Sequence, residues 1–386
     1  MVETPPAPAM GRVLTERQKL AWLRLIRSEN VGPATFRTLL NHYGSAGAAL
    51  QALPSLSKRG GARRAIHICP EEDAIGELHH LERLGARLVA LGEPDYPPLL
   101  RHIDGPPPLL AMKGGEGLFL NAPPVAIVGA RNCSLAGAKI AGQIASDLGA
   151  AGFTIVSGLA RGIDTAAHNA TLRTGTAAVF AGGLSHLYPP ENAQLADRIV
   201  GDGGAWVSEM PPGWQPRARD FPRRNRLISG ISHGVVLVEA ARRSGSLHTA
   251  RFAAEQGREV LAVPGSPLDP RCEGCNILIR DGAVLVRHAE DVMSALDVGR
   301  ILPPLPPLVE EPERDRLIDP DEISTDARQR ILDALGPVPC DIDELIRHTG
   351  LDVASVQTIL LELELAGRLE RHPPNRISIL VQETLL

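Results

Sequence analysis

The sequence predicts an α/β fold built on a doubly wound parallel sheet, with a small helical domain before the sheet and a winged helix after it. Two observations predict the sheet. Between residues 123 and 297, short apolar segments alternate with helical patterns, which is typical of parallel strands joined by helices. Gly, Ser and Arg gather where those segments end, and such sheets bind ligands at the carboxyl ends of their strands.

The first block, residues 1–122, is predicted to be a helical domain followed by a connector. Residues 15–27 place apolar side chains at helical spacing, and a second helical pattern follows a turn at 30–36. The helix, V-G-P turn and helix resemble a helix–hairpin–helix, whose turn can direct backbone N–H groups at a phosphate. A connector that only turns the chain explains the same residues, so both interpretations remain open.

The central domain, 123–297, is predicted to hold seven strands and five intervening helices. The strands are predicted at 124–128, 153–156, 177–181, 205–208, 234–239, 259–263 and 283–286. The helices are predicted at 135–149, 161–173, 191–200, 222–230 and 246–257. Runs this short and apolar indicate strands that are buried on both faces.

A Pro-rich, acidic linker (298–324) is predicted to lead into a winged-helix domain (325–386) of three helices and two short strands. Its third helix carries Asp352, Glu362 and Glu364 and has no Lys or Arg before Arg368. A helix that reads DNA needs positive charge. We therefore predict that this domain mainly contacts protein, either the central domain or a second copy, and that its acidic surface deters nonspecific DNA.

The net charge of −5 comes from the tail, because residues 297–386 hold 9 basic and 18 acidic side chains. The rest of the chain is nearly neutral and can hold a local basic patch. Five scattered cysteines favour a reducing compartment over a disulfide framework. No apolar run reaches the ~18 residues of a membrane span, and the N-terminus lacks a signal-peptide pattern. We expect a cytoplasmic protein with no membrane partner.

The turn after the first central strand runs from Gly129 to Ser134. Dinucleotide-binding proteins have G-x-G-x-x-G here, and the second Gly lets the backbone approach a pyrophosphate. Arg131 occupies that position and could itself hold a phosphate, while Ser134 could cap the helix and donate to an anion. The next strand also lacks the acidic residue that holds a ribose. We predict no NAD or FAD cofactor; a tight turn with an exposed arginine is the alternative.

A second strand-to-helix turn carries Arg161, which adds positive potential to a helix N-terminus. Asp164 and His168 follow at positions i and i+4 of that helix. An acid–base pair is conceivable there, but a pair that stabilises the helix is favoured. No third ligand is evident, so no metal site is predicted.

The strongest nucleic-acid feature is the segment 217–226, which holds five arginines around Phe221. Arg223, Arg224 and their neighbours could neutralise phosphates, and Phe221 could stack on a base without reading its identity. A solvated loop with Phe221 in the core is the alternative.

A further turn of small residues, Ser244, Gly245 and Ser246, is also suited to an anion. Cys272 and Cys275 form a lone C-x-x-C, which predicts neither a zinc site nor a redox dithiol. Several anion-binding turns along one edge suit a polyanion better than a small cofactor.

The motifs V-A-I-V-G-A-R, S-G-L-A-R-G-I-D-T-A-A-H, F-P-R-R-N-R-L-I-S-G-I-S and S-G-S-L-H-T-A occur here in this order. Over residues 120–290 they resemble the DprA/Smf family of bacterial DNA-processing proteins. The resemblance implies an extended Rossmann-like sheet, with an N-terminal domain of SAM or helix–hairpin–helix type and a C-terminal winged helix.

The resemblance further implies a non-enzymatic protein that binds single-stranded DNA without sequence preference. It implies protection of incoming strands during natural transformation and loading of the RecA recombinase, with displacement of single-strand-binding protein. It implies a homodimer formed through the Rossmann-like domain. The DNA-binding residues it implies, or that lie near them, are Gly129, Arg131, Ser134, Arg161, Phe221, Arg223, Arg224, Asn225, Ser244, Gly245 and Ser246.

Two enzyme hypotheses compete with this interpretation. A lysine-decarboxylase-like phosphoribohydrolase carries P-G-G-x-G-T-x-x-E, but here the turn at 244–249 supplies no such Glu, and Glu255 lies too far along the helix. A redox enzyme lacks both the second Gly and the acidic residue of a dinucleotide site.

Overall fold

The computed structural model describes residues 13–296, 323–372 and 375–380. These residues form two compact units, one around the central sheet and one that combines residues 14–75 with the C-terminal region. The predicted linker, 298–324, lies almost entirely outside the described residues. In the parts of the chain that are described, no helix is both long and apolar enough to cross a membrane.

Fifteen helices are described, and several begin at side-chain caps such as Thr15 and Ser134. In chain order they are α1 (Glu16–Arg27), α2 (Pro33–Tyr43), α3 (Ala46–Arg59), α4 (Glu71–Arg83), α5 (Leu118–Asn121), α6 (Leu135–Ala150), α7 (Ile163–Ala170), α8 (Ala193–Gly201), α9 (Asp220–Ile231), α10 (Ser246–Glu255), α11 (Glu273–Arg280), α12 (Ala289–Ala295), α13 (Thr325–Ala334), α14 (Ile342–Thr349) and α15 (Val353–Leu365).

The central sheet has nine strands, which confirms the predicted α/β class. They are β1 (Arg87–Ala90), β2 (Leu109–Gly114), β3 (Pro124–Gly129), β4 (Thr154–Ser157), β5 (Thr176–Val179), β6 (Ala205–Ser208), β7 (Gly234–Val238), β8 (Glu259–Ala262) and β9 (Val284–Leu285). The spatial order is β1-β2-β6-β5-β4-β3-β7-β8-β9. The seven strands from β3 to β9 are parallel to one another and correspond to the seven predicted strands.

Two strands of the central sheet, β1 and β2, were not predicted from the sequence. β1 and β2 lie within the predicted N-terminal block 1–122, yet they pair with each other and with β6 as an antiparallel extension of the sheet. Antiparallel edge strands join parallel sheets without the alternating helix that marks a parallel strand in sequence. The helical pattern therefore gave no sign of them.

Hydrophobic cores cover both faces of the sheet because successive β-strand side chains point to opposite faces. Val125 and Ile127 of β3 pack in the core that includes Ile144 of α6. Ala126 and Val128 pack in the opposite core, with residues of α9 and α10. The strand order reverses between β3 and β7, and the carboxyl ends of those two strands form the crevice where doubly wound sheets bind ligands.

The second unit contains α1, α2 and α3 together with the winged helix. The V-G-P turn places Gly32 at the N-cap and Pro33 at the first position of α2, where a missing N–H costs no helical hydrogen bond. Trp22 and Phe36 pack edge to face across α1 and α2, with ring centroids 5.1 Å apart. The winged helix contains α13, α14 and α15 and a three-stranded sheet in the order β10-β12-β11. Its strands are β10 (Cys340–Asp341), which lies between α13 and α14, β11 (Leu369–His372) and β12 (Arg376–Ile379).

The third helix of the winged helix, α15, packs against α3. The Asn30 side-chain amide donates to the Leu365 carbonyl (3.0 Å), and the Arg368 guanidinium donates to the Gly60 carbonyl (3.2 Å). A Cβ on Gly60 would lie 1.9 Å from the Glu362 carbonyl oxygen, so the two helices approach closely there. The prediction that α15 contacts protein agrees with this packing, but its partner here is the N-terminal helical bundle.

Two of the three acidic residues named for α15 are paired within the domain, whereas Asp352, which caps the helix, is exposed. The Glu362 carboxylate is buried and accepts two 2.8 Å hydrogen bonds from the Arg328 guanidinium. Glu364 accepts a 3.0 Å hydrogen bond from Arg371 of β11. The charges of Glu362 and Glu364 are therefore paired within the domain, and deterrence of nonspecific DNA by the acidic surface stays a prediction.

Candidate nucleic-acid interface

The turn after β3 begins at a glycine that strand packing requires. A Cβ on Gly129 would lie 1.9 Å from the Val238 carbonyl oxygen and 2.7 Å from the Ile163 side chain. Gly129 thus lets β3 approach β7 closely, which is a structural reason for a glycine at this position.

Ser134 was expected to donate to an anion, but the protein's own carboxylate already occupies that place. The Glu239 carboxylate accepts hydrogen bonds from the Ser134 backbone N–H (2.7 Å) and from its hydroxyl. The Ser134 hydroxyl oxygen in turn accepts from the Gly137 N–H (2.8 Å), which caps α6. Ser134 is therefore engaged inside the protein, and a phosphate could reach it only by displacing Glu239.

Glu239 was not among the predicted site residues. It ends β7 at the point where the strand order reverses, is buried, and has a φ of +52°, a conformation that L residues rarely adopt. A Cβ on Gly137 would lie 2.5 Å from its carboxyl carbon, so the carboxylate rests directly on the first turn of α6. A negative group at a helix N-terminus is electrostatically favourable. The Glu239 carboxylate therefore occupies the position where a dinucleotide pyrophosphate binds in related sheets.

Arg131, Phe221 and Tyr188 come together from three separate segments. The Arg131 guanidinium carbon lies 5.3 Å from the centroid of the Phe221 ring, within cation–π range. The Tyr188 ring packs edge to face on Phe221, with centroids 5.5 Å apart and an interplanar angle of 67°. Arg131 is exposed and Phe221 is half-buried, so the predicted aromatic site has an accessible surface.

Arg224 was predicted to line a DNA groove, but the structure buries it. Its guanidinium donates to the Gly158 carbonyl (2.7 Å) and to the Val179 carbonyl, at the carboxyl ends of β4 and β5. Burial lowers the pKa of Arg224 to about 10, while the nearby Asp164 carboxylate opposes that shift. The side chain remains charged at neutral pH and holds two strand ends together instead of facing solvent.

The other arginines of the 217–226 segment divide between internal pairs and free surface. Glu209, which is buried, binds both Arg223 (2.9 Å) and Arg226. Arg217 lies over the Trp214 ring, 4.7 Å from its centroid. Arg219 is exposed, and the described residues include no carboxylate that pairs with it. Sequence alone could not distinguish these roles, because all five side chains are identical.

The turn at 244–246 lies beside α9 at the same edge of the sheet. The Asn225 side-chain amide donates to the Gly245 carbonyl (3.3 Å), which joins two of the predicted segments. The Ser244 and Ser246 hydroxyls bond to each other (2.8 Å), and Gly245 is exposed. Arg243 precedes this turn; it is exposed and has no carboxylate partner among the residues that the structure describes.

Arg161 lies at this edge and is exposed, but it forms an ion pair with Glu191. Asp164, behind it, accepts hydrogen bonds from the Gly158 (3.1 Å) and Ala160 (3.2 Å) backbone N–H groups. His168 instead bonds to the Thr176 hydroxyl through Nδ1 (2.7 Å), and burial lowers its pKa to about 3. Asp164 and His168 therefore stabilise the turn and the core through separate partners.

The cysteines have the environment of core residues. Cys272 and Cys275 are both buried free thiols, and burial raises the pKa of Cys275 to about 11. Over the described ranges, no group of three or more His, Cys, Asp and Glu side chains could hold a metal ion.

Three family models match the chain in sequence order. The model for DNA recombination-mediator protein A matches residues 87–297, which are more than half of the chain. The DprA-like N-terminal HHH domain matches 16–79, and the DprA winged helix domain matches 310–375. The chain belongs to the DprA/Smf family.

Relatives and solved structures agree with this membership. The Smf protein of Escherichia coli is 40% identical over 301 residues, covering 77% of this chain and 79% of that protein. DprA of Streptococcus pneumoniae is 47% identical over 204 residues, covering 52% of this chain and 71% of that protein. The X-ray structure of S. pneumoniae DprA superposes with a TM-score of 0.60 at 35% identity, covering 74% of this chain and 99% of that one.

A second solved structure is DNA processing protein A from Helicobacter pylori, a protein described as having a unique single-stranded DNA binding mode. It superposes with a TM-score of 0.50 at 25% identity and covers 55% of this chain and 95% of that one. The model that matches 87–297 begins at β1, so it includes the two antiparallel strands that the sequence analysis had placed in the N-terminal block.

Proposed function

We propose that this protein binds single-stranded DNA without sequence preference, along the carboxyl edge of its central sheet. The observation that carries the proposal is the set of exposed arginines beside an accessible aromatic pair. Arg131, Arg219 and Arg243 are exposed and have no carboxylate partner among the described residues, and Phe221, two residues after Arg219, contacts Arg131. Unpaired guanidinium groups neutralise phosphates, and aromatic rings stack on bases of any identity.

Two further observations support a polymer over a small nucleotide. The Glu239 carboxylate occupies the N-terminus of α6, where a bound dinucleotide would place its pyrophosphate. The exposed arginines are spread over three segments, those after β3, β6 and β7, which suits a polymer that spans several strand ends. The single-stranded DNA binding described for the H. pylori protein supports the same proposal.

The test is fluorescence anisotropy of a labelled oligothymidine across a salt series, with duplex DNA as competitor. Tight binding to the single strand, weak competition by duplex and a log–log salt slope of about −0.7 per neutralised phosphate are expected. Arg219→Ala should weaken binding and make the slope shallower by roughly 0.7, because one phosphate contact is lost.

Arg173→Ala is the matched control. Arg173 is also exposed and unpaired among the described residues, but it follows α7 and lies towards the amino ends of the strands. Its removal should leave affinity and slope unchanged. Equal losses for Arg219→Ala and Arg173→Ala would mean that binding follows total charge and not this site.

We further propose the role that family membership suggests: protection of single strands, exchange of single-strand-binding protein for the RecA recombinase, and action as a cytoplasmic homodimer through the central domain. Recombinase ATPase activity on a strand precoated with single-strand-binding protein tests the loading role. The protein should raise that activity, and Arg219→Ala should raise it less at equal protein concentration.

A nucleotide-processing enzyme is the second candidate, and one observation bears on it. Glu239 lies closer to the 244–249 turn in sequence than Glu255, which pairs with Arg251 along α10 (2.7 Å). Turnover of a panel of nucleoside monophosphates, abolished in Glu239→Gln, would favour that activity. No turnover together with single-strand binding would favour the mediator.

A further inference from the structure

Tyr188 is the most exposed of the twelve aromatic side chains in the chain, with 47% of its surface accessible. It lies in the connection between β5 and α8, outside every motif that the sequence analysis selected. Most aromatic rings in this chain are buried in its cores. An accessible ring at a strand-end edge therefore calls for an explanation beyond packing.

The neighbours of Tyr188 connect it to the proposed DNA site. Its ring packs on Phe221 at 5.5 Å, and the Arg131 guanidinium approaches Phe221 at 5.3 Å. Phe221 is thus flanked by two groups and is itself only half exposed. Nearly half of Tyr188 remains open, so a base arriving from solvent reaches Tyr188 more easily than Phe221.

We infer that Tyr188 is a base-stacking residue, which forms with Phe221 a two-ring platform for adjacent bases of a single strand. This inference rests on the proposed function and adds a residue to it. Phe221 holds the Tyr188 ring through an edge-to-face contact, and Arg131 places a planar cation 5.3 Å from the Phe221 ring. The Tyr188 and Phe221 rings bind bases through their faces, while exposed arginines such as Arg219 bind phosphates.

Stacking requires a base, whereas ion pairing requires a phosphate, so a ligand without bases separates the two contributions. A stacking residue contributes only when a base is present, and its removal leaves the salt slope unchanged. Affinities are measured for oligothymidine and for an abasic oligomer of equal length and charge. The proteins are the wild type, Tyr188→Ala, Tyr188→Phe and the control Leu120→Ala, which removes an exposed apolar side chain (55% accessible) from α5, ahead of the amino end of β3.

Tyr188→Ala should bind oligothymidine roughly 5- to 150-fold more weakly, the equivalent of losing about 1–3 kcal/mol of stacking on one base. Its salt slope should match the wild type, and on the abasic oligomer the two proteins should bind equally. Tyr188→Phe should retain nearly full affinity because it keeps the ring. Leu120→Ala should behave as the wild type on both ligands.

Equal binding of oligothymidine by Tyr188→Ala and the wild type would overturn the inference. So would an equal loss on the abasic oligomer, which would assign Tyr188 to support of its loop. A photocrosslink from an oligomer containing 5-iododeoxyuridine should map to Tyr188 in the unmodified protein, and crosslinks confined to other peptides would contradict the platform. Failure of the wild type to bind any single strand overturns the proposed function itself, which separates the two results.

Discussion

Replacing Arg224 with alanine should destabilise the central unit before it affects DNA binding. The buried guanidinium donates to the Gly158 and Val179 carbonyls and lies near Asp164, whose carboxylate is also buried. Truncation leaves two interior carbonyl groups without that donor and a buried carboxylate without its cation. Burial already raises the pKa of Asp164, and losing the positive charge of Arg224 would raise that pKa further.

The magnitude follows from this geometry. Leaving a buried carbonyl without its donor costs about 1–3 kcal/mol, so the loss of both hydrogen bonds should cost about 2–6 kcal/mol. A domain has only about 5–15 kcal/mol of total stability, so Arg224→Ala removes a large fraction of it. At an m value of about 2 kcal/mol per molar, the urea midpoint should fall by about 2 M. Arg224→Lys should fall between Ala and the wild type, because an ammonium keeps the charge but cannot reproduce the fork of donors.

The assay is urea unfolding followed by tryptophan fluorescence in a Trp22→Phe background, so that only Trp206 and Trp214 of the central unit report. Arg219→Ala is the comparison: it should change the free energy of unfolding by less than about 0.5 kcal/mol, as exposed substitutions do, while weakening single-strand binding. Unchanged unfolding of Arg224→Ala together with a loss of DNA affinity would refute this reasoning and return Arg224 to the DNA surface.

Three further predictions concern other parts of the molecule. Burial lowers the pKa of His168 from 6.5 to about 3, so the side chain is neutral in the folded protein. Its contribution to stability is full above pH ~6.5 and is lost as the pH falls towards 3, because over that range only the unfolded chain gains a proton. Urea midpoints measured from pH 7 to 4 should therefore fall less steeply in His168→Gln than in the wild type. Gly60→Ala should lower the thermal stability of the second unit by about 1–3 kcal/mol, because its Cβ would overlap a backbone carbonyl of α15, whereas Gly47→Ala, with open space around its Cβ, should be neutral or stabilising in a calorimetric scan. Ser134→Ala should lower the unfolding midpoint and leave the DNA salt slope unchanged, since Glu239 already takes both of its donors; a shallower slope would show that phosphate displaces that carboxylate.

The regular parts of the fold could be predicted from the sequence because they depend on local patterns. Apolar runs of strand length that alternate with helical segments identified β3 to β9 and the helices α6 to α10, but not α11 between β8 and β9. The lack of Lys and Arg in α15 predicted a protein contact with the central domain or a second copy, and the contact that the structure shows is with α3 of the N-terminal helices. The strands β1 and β2 were missed because an antiparallel edge needs no intervening helix, and only pairing across the sheet reveals it.

The sequence predicted which segments form the candidate site, but it did not predict the role of each residue within them. The sequence singled out the turn at 129–134, the arginine-rich segment and the 244–246 turn, because Gly, Ser and Arg at strand ends are a local signal. It could not show that Arg224 lies inside while Arg219, five positions earlier, lies outside. The sequence also gave no reason to select Tyr188, because the Phe221 ring that it packs against lies 33 positions later in the chain.

By itself the sequence determined the α/β class, the seven parallel strands, the winged helix, and the edge of the sheet at which cationic groups collect. Only the tertiary structure decided which of those cations remain free, that Glu239 fills the crevice between β3 and β7, and that Tyr188 joins Phe221 and Arg131. The physical reason is that periodicity and composition act between near neighbours in the chain. Burial, ion pairing and ring contacts depend on the order in which distant strands come together.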